Sequence, residues 1–554
     1  MLRFCTIIFV LAISSSISLG QKKADEAYLQ VLAKQLEGEW DEAFDLNDKT
    51  LEKYPKHLSS LWFRVEYMYN FGRFNDAIPM CDQFLKYVKK KDTENLQKAY
   101  WYKGYSMEQL EDYEGALKVY NLGTRYGTHH GISVSKGRVY RLQNDSINAR
   151  KELYGVVDQD MFNTDAWQQL AYFYYYISDI DSALYAIDKA IKYDDDYATY
   201  YADKADLYYY GLWEDTIPDY DYDILYNSAR AITLSGGQSE GMDNMFKFVA
   251  KRNYNSALKI IADELDASDL FHWKDLRAHV FKSHGKHLRA RNEYTRLIAE
   301  DTETNPMYYT YYRGEENKEL GFYKYALEDF ETVTAAHPDI ASGFAQLGDI
   351  HFLMGKFDLA IKDYSDALEL EPENDWYLMK RGECKVHAED YDGALKDYNE
   401  SVELDSNYTT NRLLRGRLYE NFYHDTAKAN ADFRKILEID TLEKSTDLSK
   451  AFAYMHLGMN DKCLELVDYI LEKDKGAEIH YDASCIYTAL GMKDETLENL
   501  EIAFNEGWRG LTHALNNDDL DLLKNDPAFI DFIERSQAIY EKELHQEKLN
   551  RLDD

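Results

Sequence analysis

The sequence predicts an all-α solenoid: small helix–turn–helix repeats stacked in a row, with no single globular core. Three observations predict it. Gly314, Gly348, Gly382 and Gly416 recur at intervals of 34 residues. Ala326, Ala360 and Ala394 keep that interval, as do Phe330, Tyr364 and Tyr398, and Pro338 and Pro372. The chain of 554 residues has only 7 prolines and no Pro-, Ser- or Gly-rich linker, so near-continuous helix is expected.

The clearest repeat runs from Ala341 to Asn374. Phe344, Leu347, Gly348 and His351 lie in its first half, a Gly355-Lys356 turn follows, and Ala360, Tyr364, Ala367 and Pro372 lie in its second. Gly348 and Ala360 are small enough to let two antiparallel helices approach. Ala360, Tyr364, Ala367 and Leu368 share one face of a 3.6-residue helix. Pro372 cannot continue the second helix. This pattern resembles the tetratricopeptide repeat (TPR), with Phe and His standing where the family has its Trp and first Tyr. The resemblance implies a right-handed superhelical solenoid.

Repeat starts are expected near residues 24, 58, 97, 130, 164, 198, 238, 271, 307, 341, 375, 409, 444 and 477, about 14 in all. Those near 198, 238 and 271 are degenerate. The resulting domain reading is a signal peptide over 1–20, an N-terminal array over 21–237 and degenerate repeats over 238–306. A C-terminal array over 307–505 and capping helices with a charged tail over 506–554 complete it. The segment from Ala503 to Phe532 resembles the closing segment of bacterial TPR arrays. Leu520, Leu523, Pro527, Phe529 and Phe532 are expected to cover the last helix face, because a terminal repeat has no neighbour.

At the N-terminus, Arg3 precedes an apolar run from Phe4 to Ile13, and Ser18 and Gly20 are small residues suited to cleavage before Gln21. This reads as a secretory signal, shorter than a membrane span needs. A periplasmic or extracellular protein is therefore expected. Cys81, Cys384, Cys463 and Cys485 form no C-x-x-C and read as buried thiols, with a Cys463–Cys485 bridge as the alternative. A formal net charge of −36 disfavours nucleic acid and points to a cationic partner or simply to solubility.

In a TPR array five positions of each first helix usually face the concave side. They hold Trp62, Tyr69, Trp101, Tyr105, Tyr172, Tyr175, Tyr176, Tyr209, Tyr210, Tyr308, Tyr311, Phe352 and Trp376. Aromatic area with a polar handle suits a bound peptide or glycan; aromatics at helical spacing also serve as ordinary core. Glu315, Asp349 and Glu383 occupy one inward position in three consecutive repeats. They either attract a Lys- or Arg-bearing ligand or lie on a solvated face. The family's carboxylate clamp needs Lys and Asn at such positions, so that use does not transfer.

Phe271 to Arg291 is locally basic and carries His284-x-x-His287. That pair has no third ligand at fixed spacing. The Ser235–Gly241 stretch lacks a following Gly-Lys-Ser/Thr and reads as a flexible join. No catalytic motif is present: no nucleophile elbow, no H-E-x-x-H and no strand-borne glycine loop. No cofactor is called for. Asp145-Ser146, Asp181-Ser182, Asp215-Thr216, Asp425-Thr426 and Asp440-Thr441 are similar to sites glycosylated in exported Bacteroidetes proteins; most also sit where an N-cap belongs. The reading that emerges is a non-enzymatic protein–protein interaction scaffold of the cell envelope, with glycan or cell-wall binding through the Tyr-rich groove as the alternative.

Overall fold

The computed structural model describes residues 19–211, 220–268, 270–300, 306–439, 444–473, 476–516 and 518–550. Among them the regular structure is helical, with no strand. Most of the expected signal peptide lies outside the described residues, as do Asp215-Thr216 and Asp440-Thr441. Leu19 and Gly20 open the first helix, Leu19–Glu37. No described helix is long and apolar enough to cross a membrane.

The chain divides into two compact units, Met1–Phe246 and Lys247–Asp554. In the N-terminal unit successive helices pack as hairpins: Leu19–Glu37 with Trp40–Lys53, Leu58–Asn70 with Phe74–Tyr87, Thr93–Gln109 with Tyr113–Gly123, His130–Leu142 with Ser146–Val157, Thr164–Tyr176 with Ile180–Tyr193, and Ala198–Gly211 with Asp221–Leu234. The helix Glu240–Ala250 spans the division and leads into Tyr254–Ala267. The C-terminal unit continues with His272–Ser283 and His287–Glu300, Pro306–Glu319 and Tyr323–Ala336, Ala341–Leu353 and Phe357–Leu370, Asp375–His387 and Tyr391–Leu404, Thr409–Asn421 and Thr426–Glu438, Lys444–His456 and Asn460–Lys473, and Ala477–Ala489 and Lys493–Asn505.

Outside the hairpin Ala198–Leu234, the turns within the hairpins have one recurring form. A residue in the left-handed region ends the first helix; it is Gly355 at φ 70° in one hairpin and Glu389 at φ 61° in the next. Gly355 N–H donates to the Phe352 carbonyl and Lys356 N–H to that of His351, both at 2.8 Å, which satisfies carbonyls the helix end leaves open. In several hairpins an aspartate then caps the second helix. Asp390 accepts from Gly393 N–H at 3.0 Å, Asp145 from Asn148 N–H at 3.1 Å, and Asp425 from Lys428 N–H at 3.1 Å. Asp181 lies inside its helix, where Asp179 is the cap.

The spaced glycines stand at the helix crossings. A Cβ built on Gly382 lies 2.7 Å from the Tyr398 ring, one on Gly416 lies 2.6 Å from Phe433, one on Gly348 lies 2.9 Å from Tyr364, and one on Gly314 lies 3.0 Å from Phe330. Ala326, Ala360 and Ala394 are wholly buried at the same joints. Gly382→Ala is therefore expected to destabilise. Overpacking costs about 1–3 kcal/mol, and the gain in helix propensity returns only about 1 kcal/mol. Thermal melting of the variant should show a lower Tm.

The four crossings at the spaced glycines also carry a buried polar joint. Arg313 donates to Asp329 (3.1 and 2.5 Å), Arg381 to Asp397 (2.9 and 2.8 Å) and Arg415 to Asp432 (2.8 and 2.6 Å). In the hairpin between, Leu347 takes the arginine's place, and His351 meets Asp363 at 2.5 Å. Sequence reasoning missed this ladder, although three of the four spaced glycines directly follow an arginine.

The C-terminal cap comprises Leu511–Asn516, a 3-10 segment Asp518–Leu523 and Pro527–Asn550. Leu520, Leu523, Phe529 and Phe532 are buried with Leu500, Ala503 and Phe504 of the last hairpin. The tail helix runs on past Gln537 and reaches back to an earlier hairpin. Tyr540 donates its hydroxyl to the Gly321 carbonyl at 2.6 Å, and its ring meets Phe322 at 5.9 Å. The C-terminal unit thus curves until its cap touches the hairpin Pro306–Ala336. All four cysteines of the described residues are buried free thiols.

Candidate functional site

The curvature of the C-terminal unit surrounds a half-open lumen of about 1050 Å³. The first helices build its wall by register. The ninth residue of five consecutive first helices faces it: Asp349, Glu383, Arg417, Phe452 and Cys485. Lys380, Leu414, Ser449 and Asp482 line it from the sixth position. The cap and the loop before it close one side with Trp508, Arg509 and Asp519, and Lys318, Glu319 and Tyr323 complete another. The wall is mixed: Leu413, Leu414, Phe422, Leu448 and Phe452 supply apolar surface between the charges.

Of the residues predicted to face inward, Asp349, Phe352 and Glu383 line this lumen. Asp349 accepts from the Tyr364 hydroxyl at 2.5 Å and pairs with Lys318 at 3.5 Å. Glu383 pairs with Lys380 at 2.9 Å, and Glu315, outside the lumen wall, pairs with Lys282 at 2.5 Å. The acidic row is thus met by a lysine row. Trp376 packs at 6.2 Å from Tyr364, under Lys380. Tyr308 packs on Tyr312 at 4.7 Å, and Tyr311 on Phe330 at 5.6 Å.

In the N-terminal unit the structure gathers Trp62, Tyr69, Trp101 and Tyr105 with Tyr102 into one half-buried aromatic cluster. Tyr102 lies 5.0 Å from Trp62 and 4.6 Å from Tyr69, and Tyr105 lies 5.3 Å from Tyr69 and 5.7 Å from Trp101. Arg138 covers Tyr105 at 5.3 Å, and Arg141 covers Tyr172 at 5.8 Å. Tyr172 donates to Asp203 at 2.8 Å. Tyr175, Tyr176 and Tyr210 are exposed, and Tyr209 meets Tyr210 edge-on at 4.7 Å.

The basic stretch is engaged within the fold. Lys274 pairs with Glu300, Arg277 with Glu293 and Lys282 with Glu315. His284 and His287 turn to different partners, the Val280 carbonyl and Glu316. Among the described residues no group of three His, Cys, Asp or Glu converges as metal ligands would.

Glu478 and Asp482 escaped sequence reasoning. They stand one turn apart on Ala477–Ala489, at the second and sixth positions, and both line the lumen. Extending the sixth-position register from Lys380 to the last hairpin reaches Asp482, with Glu478 one turn before it. Burial, with Glu478 and Asp519 nearby, pushes the Asp482 carboxyl up to about 7. Between its ordinary value of 3.8 and about 7 the folded chain holds this proton and the unfolded chain does not. Stability from this group is therefore complete at low pH and is lost as pH rises through 7. Asp482→Asn is expected to flatten the fall in Tm between pH 5 and pH 8 and to melt higher than the native chain at pH 8.

A tetratricopeptide-repeat family profile matches residues 341–374. Comparison with curated proteins gives no match. Similar solved structures include a tetratricopeptide repeat protein from Parabacteroides merdae, 16% identical, covering 46% of this chain and 99% of that one at a TM-score of 0.34. Yeast Tom70 is 13% identical, covering 81% and 96% at a TM-score of 0.36. A chain of the APC/C hetero-tetramer Cut9–Hcn1 is 14% identical, covering 96% and 99% at a TM-score of 0.33. The profile covers Ala341–Asn374, and the glycine–aromatic crossing of that hairpin is repeated in the hairpins before and after it, so this part of the chain is similar to the tetratricopeptide repeat.

Proposed function

We propose that this protein is a non-enzymatic interaction scaffold of the cell envelope whose C-terminal unit holds an extended segment of a partner protein. The observation that carries the reading is the half-open lumen. Its volume of about 1050 Å³, with apolar side chains set between charged ones, fits a peptide segment. Repeat stacks present continuous surfaces and draw affinity from several repeats at once. The acidic excess of the chain favours a cationic segment and speeds its approach. Envelope location rests on the N-terminal Arg3 to Gly20 stretch, and the mature chain should begin at Gln21.

A photo-reactive residue placed at Leu414, inside the lumen, should give a discrete adduct with a partner in intact cells. The same residue at Ile147, which is 82% exposed in the N-terminal unit, should not. Equal labelling from both positions, or none from Leu414, would sink the lumen as the binding site. The exposed Tyr175, Tyr176 and Tyr210 favour a second reading, glycan binding by the N-terminal unit. Retention on peptidoglycan that is lost in Tyr176→Ala with Tyr210→Ala would establish it.

A further inference from the structure

The lumen's cations are all engaged. Lys318 donates to Gln346 at 2.9 Å and pairs with Asp349, Lys380 pairs with Glu383, Arg417 pairs with Asp519, and Arg509 donates to the carbonyls of Phe504 (2.7 Å) and Trp508 (3.1 Å). Four lining carboxylates, Glu319, Glu478, Asp482 and Glu506, are left over, and two of them share one helix. Glu478 and Asp482 form neither a hydrogen bond nor an ion pair with any described residue. On one helix face at i and i+4 their Cβ atoms stand about 6 Å apart. Next to Asp482, Tyr481 stacks on Trp508 with ring centroids 4.4 Å apart and planes 19° from parallel, and both residues line the lumen.

Resting on the reading of the lumen as a site for a partner segment, we propose that Glu478 and Asp482 receive an arginine side chain of that segment. The guanidinium sits between the two carboxylates and against the Tyr481–Trp508 rings. Its planar fork offers five donors, carboxylates accept in pairs, and a guanidinium stacks on aromatic faces. A lysine would satisfy the charge but not the stacking geometry. The groups that face Asp482 set the site's pH response: Glu478 and Cys485 on its own helix, Asp519 from the 3-10 segment and Arg417 from Thr409–Asn421. Two of the four are carboxylates and Arg417 is committed to Asp519, so an arriving cation favours the ionised form of Asp482. The bound segment should therefore release a proton near neutral pH and hold more tightly at pH 8 than at pH 6.

A randomised dodecapeptide phage library selected on the full-length protein at pH 8 tests this. Arginine should be enriched about fivefold or more over the input library, and citrulline in its place should weaken a selected synthetic peptide about tenfold. Glu478→Gln with Asp482→Asn should weaken it comparably with an unchanged circular dichroism spectrum, and binding should be several-fold weaker at pH 6. Citrulline and pH act on the unaltered protein, so a misfolded variant would not rescue the idea. Peptides that compete with a Leu414→Trp plug yet show no arginine preference overturn the arginine site and leave the lumen reading standing. No selected peptide, or peptides indifferent to the plug, overturns both.

Discussion

Asp397→Ala is expected to be the most damaging single change in the C-terminal unit. Asp397 is 1% exposed and accepts from Arg381 at 2.9 and 2.8 Å and from Lys385 at 2.7 Å. Its removal strands two cations at a packed helix crossing. Truncating one partner of a buried pair costs about 3–5 kcal/mol, because the remaining charge stays desolvated without its partner. Both cations keep some exposure, so the lower end applies. Stacked hairpins are stabilised by their neighbours, so the loss should spread into the adjoining hairpins. Hydrogen exchange should quicken first over Asp375–Leu404 and then over the flanking helices. Asp397→Leu with Arg381→Met and Lys385→Met should recover most of the stability, since an apolar replacement of a whole buried ion pair is often neutral. No recovery would mean that the network has a further role in setting the crossing.

Phe529→Ala should rank next. Phe529 is buried at 1% exposure, 6.4 Å from Phe532, which meets Phe504 of the last hairpin at 6.3 Å. Phe→Ala in a packed core costs about 3–5 kcal/mol. Here the loss falls on a cap, and a solenoid end without its cap exposes an apolar face. Two readouts are expected: rapid proteolysis between Asn505 and Pro527, and concentration-dependent self-association by light scattering. A variant that stays monomeric and resists protease would show that Leu520, Leu523 and Phe532 suffice. Loosening this cap should also weaken the Tyr540–Gly321 contact between the tail helix and the hairpin Pro306–Ala336.

Periodicity carried the fold. Small residues recur where helices cross, left-handed residues recur where hairpins turn, and prolines recur where second helices end. These are local constraints of one repeated unit, so one chain suffices to read them. The degenerate repeats near 198 and 271 fold as hairpins too, and in the second Ala278 and Ala290 keep the close crossing while Trp273, Tyr294 and Leu297 fill the core. The candidate site was only partly readable. Asp349 and Glu383 followed from position within a helix, but their engagement by Lys318 and Lys380 did not. The chain by itself determined a row of like hairpins, their helix boundaries and a closing cap, because each depends on residues within about one repeat of each other. The tertiary structure alone decided which inward positions share one lumen. Gly321 and Tyr540 meet across 219 residues, and Glu478 and Asp482 share the lumen wall without a direct ion pair, Lys318 acting on Glu478 only from a distance. Those outcomes depend on how small rotations between hairpins accumulate, and no local pattern encodes that sum.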